Sequence, residues 1–301
     1  MTTEIQHIRI VSPSGVIDPT YIDQASARLR SWGYTVSEGL YARGTWGRFA
    51  GKDEDRLQDI IDALQASSVD CILCARGGYG LQRIIDRIPA ITKPIIGFSD
   101  ITALHQLAIL SQQPSVHGIM CKHIATLPNE AEPLIALRQL LEDQATDYTW
   151  EAHPLNRPGT VTAPIIGGNL SVLYGLQGTP YGLQNTEYKV QKELGVKPIL
   201  LIEDIGERHY HIDRMMRNLK MSGVLENISG LIVGQFSDCD DDPLMNQTVY
   251  ETIKEVVDQY DYPVVFNAPF GHVVHNLPLW FGVPYRLEIT TTSSVRLLQL
   301  G

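Results

Sequence analysis

The chain has 301 residues, of which 44% are hydrophobic and 19% charged, and its formal net charge is −10 at pH 7. This length is sufficient for two domains with separate cores. The acidic balance argues against nucleic acid or an anionic membrane as the main partner. No apolar run approaches the ~20 residues needed to span a bilayer. The N-terminus lacks the pattern of a secretory signal, so we expect a cytoplasmic protein.

The first half of the chain alternates between short apolar runs and amphipathic segments. Residues 8–11 and 69–75 are apolar runs typical of strands, and the second has the continuous apolar character of a strand covered on both faces. The spacing of apolar residues predicts helices over residues 21–29 and 53–65. Strand, turn and helix in repeated order predict βα units and a parallel sheet. Ligands of such sheets bind at the carboxyl ends of the strands.

The second half is mixed in its patterns. It is predicted to contain strands at residues 198–202, 231–233 and 264–266, and helices at residues 214–221 and 247–257. The stretch 148–160, with its prolines and lack of periodicity, indicates a linker. We therefore expect one domain over residues 1–150 and a second over residues 160–301.

Gly97-Phe98-Ser99-Asp100 follows an apolar run and precedes a segment with helical character. A serine at a strand-to-helix turn exposes its hydroxyl, and nearby backbone N–H groups can stabilise an oxyanion. This placement makes Ser99 a candidate nucleophile. The alternative is an ordinary helix N-cap, which is the commoner role of a serine at such a position. Ile101 stands where a second glycine would complete G-x-S-x-G, so the segment departs from the pattern of α/β-hydrolases.

The stretch Arg76-Gly77-Gly78-Tyr79-Gly80 follows the apolar run at residues 69–75. Adjacent glycines let a backbone approach a ligand closely and leave N–H groups available for an anion. The stretch is therefore a candidate for half of an oxyanion hole or for a carboxylate cradle. The alternative is a βα turn that needs positive φ. Its spacing differs from G-x-G-x-x-G, which argues against a nicotinamide cofactor.

Glu203 and Asp204 follow the predicted strand 198–202, and His272 lies in a loop bounded by proline and glycine. A carboxylate at a strand end can orient an imidazole, and a rigid loop suits a general base. Because side chains alternate along a strand, only one of the two acids can face the site. A solvated acid is the alternative for either of them. His275 is the nearby competitor of His272.

Two further patterns suggest metal ligands but lack the required partners. Cys71 and Cys74 form a C-x-x-C motif without a second pair, so we interpret them as core residues. His209 and His211 form an H-x-H pair, expected on one face of a strand, without a third ligand. We therefore expect neither a metal nor another cofactor.

Several motifs, taken together, resemble the LD-carboxypeptidase family, the muramoyltetrapeptide carboxypeptidases. In order, they are residues 11–15, 76–80, 97–104, 117–118, 203–204, 212–214 and 269–272. The resemblance that they carry extends over nearly the whole chain. The resemblance implies an N-terminal flavodoxin-like α/β domain, a C-terminal β-rich domain and an active site between them. Trp46 and the region around Phe281 differ mildly from the family pattern.

The resemblance also implies a serine peptidase that needs no metal. Matched motif by motif, Ser99 falls on the family nucleophile, Glu203 on the triad acid and His272 on the base. The backbone N–H groups of Gly78 and Asp100 fall on the oxyanion hole.

The family's usual substrate is a murein tetrapeptide, cut before its terminal D-alanine in peptidoglycan recycling. A branch instead cleaves peptidyl-nucleotide antibiotics and gives self-immunity. Residues 204–207 look more like the murein branch. Family members often form dimers, so we expect a homodimer.

A carboxypeptidase also needs a group that binds the terminal carboxylate, and a guanidinium suits this task. Arg76 and Arg214 are the main candidates, with Arg208 as a third. Two other functions remain open at this point. One is a non-catalytic two-domain protein that binds an amino acid or peptide, and the other is an amidase acting on a different peptide conjugate.

Overall fold

The computed structural model describes residues 4–290 and 294–300, which divide into two compact units. The first unit contains the described residues up to Gln144 together with Leu277–Trp280. The second contains Ala145–Asn276 and the described residues from Phe281 onward. Each unit is built around its own β-sheet. The segment 148–160, which the sequence indicates as a linker, contains most of one strand of the second unit and the start of another.

The first unit is a parallel α/β fold. Its strands are β1 (His7–Val11), β2 (Thr35–Glu38), β3 (Cys71–Cys74), β4 (Ile95–Gly97) and β5 (Ser115–His117). Its helices are α1 (Pro19–Ser31), α2 (Asp53–Gln65), α3 (Thr102–Leu110), α4 (Cys121–Thr126) and α5 (Glu132–Leu141). The strand order is β2-β1-β3-β4-β5, with parallel pairing throughout, and a short strand at Leu279–Phe281 (β11) extends the sheet beside β5. This order is flavodoxin-like, as the family resemblance implies.

The crossover of this sheet determines where its loops gather. β1 lies between β2 and β3, so the connections on its two sides run in opposite directions. Such a switch point opens a crevice at the carboxyl ends of the two central strands. The loops that leave β1 and β3 there are residues 12–15 and 76–80, which are two of the motifs selected from the sequence.

Local sequence explains the main helices of this unit. Asp18 caps α1 by accepting a hydrogen bond from the backbone N–H of Thr20 at 2.9 Å, and Pro19 opens the helix. Gly33, with φ of +101°, follows its end. α2 covers the range predicted from its apolar spacing and buries Ile60 on its inner face. These helices form where the sequence supplies a start signal, an apolar stripe or a stop signal.

The second unit has a mixed sheet. Its strands are β6 (Asp147–Glu151), β7 (Gly159–Asn169), β8 (Ile199–Ile205), β9 (Gly230–Ser237), β10 (Val264–Val265), β12 (Pro284–Ile289) and β13 (Ser294–Gln299). Its helices are α6 (Leu170–Leu176), α7 (Leu183–Leu194), α8 (His209–Met221) and α9 (Val249–Val257). The order is β10-β9-β8-β7-β12-β13-β6, parallel from β10 to β7 and antiparallel from β7 to β6. The prediction of a mixed, β-rich second domain is confirmed.

Two details of this unit differ from the sequence-based expectations. β8 continues to Ile205, so Glu203 and Asp204 lie within the strand instead of after it. The placement of His209 and His211 on a strand is wrong, because both belong to the first turn of α8. Residues two apart on a helix point in different directions, so the pair cannot share a face. His209 is buried, with Nε2 2.7 Å from Oγ1 of Thr252.

The described residues offer neither a metal-binding cluster nor a helix able to span a membrane. Within residues 4–290 and 294–300, no group of three or more His, Cys, Asp or Glu side chains is arranged to hold a metal ion. In the same part of the chain, no helix combines the length and apolar character needed to cross a membrane.

α7 carries a buried acid, Glu187, whose side chain faces the interior of the second unit. Glu187 is 3% exposed, and burial raises its pKa to about 9 against the opposing influence of Lys197. Its Oε1 atom has no hydrogen-bond partner among the described residues. The carboxyl group is therefore protonated at neutral pH in the folded protein, whereas it ionises when the chain unfolds.

This difference predicts the effect of Glu187→Gln on stability. In the wild type, the free energy of unfolding falls as pH rises from 4.5, the ordinary value, towards 9, because the unfolded chain releases the proton first. We expect the variant to be more stable at pH 8 by about 1–3 kcal/mol. The advantage should shrink towards pH 4.5. Urea unfolding at pH 5 and pH 8 measures both values, with Glu193→Gln on the exposed face of α7 as control. An equal effect at both pH values would contradict the assignment.

Candidate active site

Ser99 lies on a sharp turn between β4 and α3. It begins a short 3₁₀ turn directly after Phe98, and its φ of +66° is in the left-handed region. Non-glycine residues adopt this conformation rarely, and such strain concentrates at functional sites. The N-cap positions of the 3₁₀ turn and of α3 are Phe98 and Ile101, so Ser99 is not the cap residue. The strand–turn–helix context predicted for Ser99 is confirmed, and its side chain is half-buried.

The glycine-rich loop after β3 packs against this serine. A Cβ atom at Gly77 would lie 2.7 Å from Cβ of Ser99 and 3.0 Å from its Oγ, so any side chain there would displace the hydroxyl. The carbonyl of Gly77 accepts a hydrogen bond from the N–H of Gly15 at 3.0 Å. Gly78 is exposed and has φ of +107°. The first unit thus brings the loops after β1, β3 and β4 together around Ser99.

The side chain of Asp100 connects the same three loops. Its Oδ2 atom accepts hydrogen bonds from Oγ of Ser14 at 2.6 Å and from the N–H of Leu81 at 2.9 Å. Asp100 is 3% exposed, and burial raises the pKa of its carboxyl group. The family resemblance assigns a role only to the backbone N–H of Asp100 and none to the side chain of Ser14. The available signal was that both polar residues lie in short loops after predicted strands, at one edge of the sheet.

In the second unit, Glu203 and His272 form a buried pair. Nδ1 of His272 lies 2.7 Å from Oε2 of Glu203, and Glu203 is fully buried. With the carboxylate ionised, Nδ1 donates its proton, and Nε2 becomes the basic nitrogen of the ring. Burial lowers the pKa of His272, but the hydrogen bond and charge of Glu203 outweigh it, so the pKa is raised above 6.5. The pair has the geometry of an oriented general base.

The loop that carries His272 is held at several points. A Cβ atom at Gly271 would lie 2.9 Å from Oε2 of Glu203, so only glycine allows this approach. The N–H of Gly271 donates to Oδ1 of the buried Asn276 at 2.9 Å. The carbonyl of His272 accepts from Oγ of Ser237 at 2.9 Å. Asn276 and Ser237 were not selected from the sequence, since neither belongs to a recognisable motif.

Asp204 faces away from the Glu203–His272 pair. Its carboxylate accepts hydrogen bonds from Nδ2 of Asn169 at 2.9 Å and from the N–H of Ser171 at 2.8 Å. Burial and the charge of Glu203 raise its pKa to about 7. The expectation that the two neighbouring acids point in different directions is confirmed. Of the two histidines considered, His272 contacts Glu203, whereas His275 is exposed.

The arginines selected as carboxylate binders lie on the surfaces of their units. The Arg76 guanidinium donates to the carbonyl of Val16 at 2.6 Å. Arg214 lies on α8, with its Cζ atom 5.6 Å from the centre of the Tyr210 ring. Arg208 precedes α8 at the N-cap position. All three are exposed, and their role in substrate binding stays a prediction.

Comparisons with known proteins agree with these motifs. A family model described as the LD-carboxypeptidase N-terminal domain matches residues 8–118, and the LD-carboxypeptidase C-terminal domain matches residues 162–287. A protein of Synechocystis sp. described as a carboxypeptidase is 33% identical over 277 residues, which cover 88% of this chain and 85% of that protein. The microcin C7 self-immunity protein of Escherichia coli is 26% identical, with 83% of this chain and 81% of that protein covered.

Comparison with solved structures shows the same fold in a related protein. The crystal structure of muramoyltetrapeptide carboxypeptidase from Oxalobacter formigenes has a TM-score of 0.84 and 25% sequence identity to this chain. The match covers 98% of this chain and 99% of that one. The two-unit α/β architecture is therefore shared over the full length of both chains.

The close approach of Gly77 to Ser99 predicts the effect of Gly77→Ala. The added methyl group should push the hydroxyl out of position and slow labelling of Ser99 by a fluorophosphonate at least tenfold, because small misplacements of reacting atoms are costly. Labelling rates followed by mass spectrometry test this. Gly33→Ala is the control. Gly33 is a glycine of the same unit with positive φ, and a Cβ added there would have no atom within 4 Å. Equal labelling rates of Gly77→Ala and the wild type would contradict the prediction.

The Glu203–His272 pair predicts a raised pKa for the imidazole of His272. We expect the His272 imidazole to titrate above pH 6.5 in the wild type, and at lower pH in Glu203→Gln, where burial acts without the compensating charge. The variant should also lose the stability that the pair contributes at low pH, which in the wild type disappears as pH rises through the elevated pKa. Histidine ring signals in NMR spectra recorded across pH 5–9 measure the shift. An unchanged His272 titration in Glu203→Gln would count against the pair.

Proposed function

The chain belongs to the LD-carboxypeptidase family and is a serine-type carboxypeptidase, and from that premise we propose that it removes the terminal D-alanine from murein tetrapeptides. The observation that carries the proposal is the hydrogen bond between His272 and Glu203, which gives the chain an oriented base. The likeness to a muramoyltetrapeptide carboxypeptidase over 98% of the chain supports the choice of substrate.

In the proposed reaction, Nε2 of His272 takes the proton from Oγ of Ser99. Glu203 holds the imidazole in the required tautomer and stabilises the imidazolium that forms. The Ser99 oxygen then attacks the carbonyl carbon that precedes D-alanine. This step requires the first unit to present Ser99, and the second to present His272, to the same carbonyl group.

The backbone N–H groups of Gly78 and Asp100 are proposed to hold the oxyanion of the tetrahedral intermediate. Each such donor contributes about 3 kcal/mol of transition-state stabilisation in comparable enzymes. The hydrogen bonds of the Asp100 side chain to Ser14 and Leu81 support this role, because they limit movement of the loops that carry the two donors. The imidazolium of His272 then protonates D-alanine as it leaves, and water hydrolyses the acyl-enzyme.

The remaining parts of the proposal concern the group that binds the substrate's terminal carboxylate, the cellular compartment and the oligomeric state. We assign the terminal carboxylate to a guanidinium, that of Arg76 in the first unit or that of Arg214 in the second. We place the reaction in peptidoglycan recycling in the cytoplasm, carried out by a homodimer. The four free cysteines are compatible with a reducing compartment.

A second candidate function is cleavage of a peptidyl-nucleotide antibiotic. The observation in its favour is the 26% identity to the microcin C7 self-immunity protein, which covers 83% of this chain. The same nucleophile, base and oxyanion donors would serve this amide cleavage, so the two functions differ only in the groups that surround the scissile bond. Hydrolysis of a murein tetrapeptide compared with that of an aminoacyl-sulfamoyl nucleoside, at equal enzyme concentration, distinguishes them.

The proposed role of Ser99 predicts the products of the wild type and of Ser99→Ala. The wild-type enzyme should convert a purified murein tetrapeptide to a tripeptide and free D-alanine, and Ser99→Ala should lower the rate at least a thousandfold without loss of folding. Mass spectrometry of the products and thermal melting measure both. The control is Ser31→Ala, at the exposed end of α1. Undiminished release of D-alanine by Ser99→Ala would remove this serine from the mechanism.

A further inference from the structure

The pairing of β8 with β9 contains a β-bulge opposite Glu203. The residue pairs that flank the bulge are Ile202 with Val233 and Asp204 with Phe236. Two residues of β9, Gly234 and Gln235, therefore lie opposite the single residue Glu203. A bulge of this kind disrupts the ladder locally, leaves the extra residue unpaired and is common beside active sites. Backbone groups of β9 thus become available for other contacts at the level of Glu203.

The backbone of this bulge contacts the loop that carries the candidate base. The N–H of Gln235 donates a hydrogen bond at 2.9 Å to the carbonyl of Phe270, which lies two residues before the histidine. A Cβ atom at Gly234 would lie 2.5 Å from the same carbonyl oxygen and 3.2 Å from Cβ of Glu203. Glycine at this position therefore lets the loop approach β9 and Glu203 together.

The side chain of Gln235 makes a second contact with the same loop. Its Nε2 atom donates to Oδ1 of Asn267 at 2.9 Å and to the carbonyl of Ala268 at 3.0 Å. Because a carbonyl oxygen can only accept, the amide must turn its NH₂ group towards the loop. Asn267 has φ of +58°, so the bonds from Gln235 hold the loop at a residue in the left-handed region.

Alternate residues of β9 hold this loop along its length. The carbonyl of Val233 accepts from the N–H of Ala268 at 3.1 Å, near the start of the loop. Oγ of Ser237 donates to the carbonyl of His272 at its end. Gln235 lies between these two residues and supplies three hydrogen bonds, one from its backbone and two from its side chain. It therefore joins the bulge opposite Glu203 to the middle of the histidine loop.

We propose that Gln235 is a positioning residue for the candidate base, which holds the loop 267–272 on β9 so that the imidazole of His272 stays within hydrogen-bond distance of Glu203. Its hydrogen bonds go to the loop and not to the imidazole, so it acts through the position of His272. The effect on the histidine is a property of the second unit alone, whereas the effect on catalysis rests on the proposed function.

The titration of His272 tests the positioning without any substrate. Gln235→Met keeps the length of the side chain but removes the donor, and Gln235→Ala removes both. In each variant, His272 should titrate at lower pH than in the wild type, because a weaker contact with Glu203 leaves the opposing effect of burial. Histidine ring signals in NMR spectra across pH 5–9 measure the shift. Gln191→Ala, on the exposed face of α7, is the control and should titrate as the wild type.

The kinetics of D-alanine release test the consequence for the reaction. Gln235→Met should lower kcat about three- to thirtyfold and change KM by no more than about twofold, because a misplaced base slows the chemical step without removing a substrate contact. Thermal melting checks that the variants are folded, as expected because the buried side chain of Phe270 still attaches the loop to the unit.

The outcomes distinguish this role from the proposed function. A wild-type His272 titration in Gln235→Met would overturn the positioning role, even if Gln235→Ala shifts it, since the effect would then come from lost packing. A raised KM with unchanged kcat would also overturn it, because Gln235 would then contribute to substrate binding. If the wild type releases no D-alanine but the titration shifts in both variants, the proposed function fails and the positioning role stands.

Discussion

The left-handed backbone of Ser99 is the constraint on which the first unit's candidate site depends. A non-glycine residue with φ of +66° costs on the order of 1–3 kcal/mol, and it persists only where its surroundings leave no alternative. Here β4 is buried before the turn, Gly77 leaves just enough space for the serine side chain, and the Asp100 carboxylate holds the adjoining loops. Relaxing any one of these contacts would let the hydroxyl move away from the backbone N–H groups proposed to act with it.

In the second unit, the candidate base depends on one buried contact. Glu203 is fully buried, and its Oε2 atom lies 2.7 Å from Nδ1 of His272. This contact raises the pKa of the histidine above its ordinary value, against the opposing effect of burial. Gly271, Asn276 and Ser237 hold the histidine loop in place, as a short hydrogen bond to a buried carboxylate requires. The loop contacts therefore fix the position of the imidazole, and Glu203 raises its basicity.

Sequence patterns predicted best where the signal is local. α2 has a regular apolar stripe and covers the expected residues, and the Ser99 turn follows its strand as the motif indicates. Prediction failed where tertiary contacts decide. Residues 148–160 lack periodicity, yet most of β6 and the start of β7 form there because pairing with β13 and β12 supplies their hydrogen bonds. His209 and His211 begin α8, where a contact with Thr252, far along the chain, buries the first of them.

The sequence by itself determined the order of the βα units, the glycine-rich loops and the small set of polar residues able to carry chemistry. It also determined that Glu203 and Asp204 point in different directions, because alternation along a strand is a local property. Only the tertiary structure decided that Glu203, and not Asp204, meets a histidine, and that this histidine is His272 and not His275. It also decided that Gly77 supports Ser99 and that Asp100 holds Ser14. These contacts join residues from about 20 to 90 positions apart, and such pairings arise from the packing of whole elements, which local spacing does not encode.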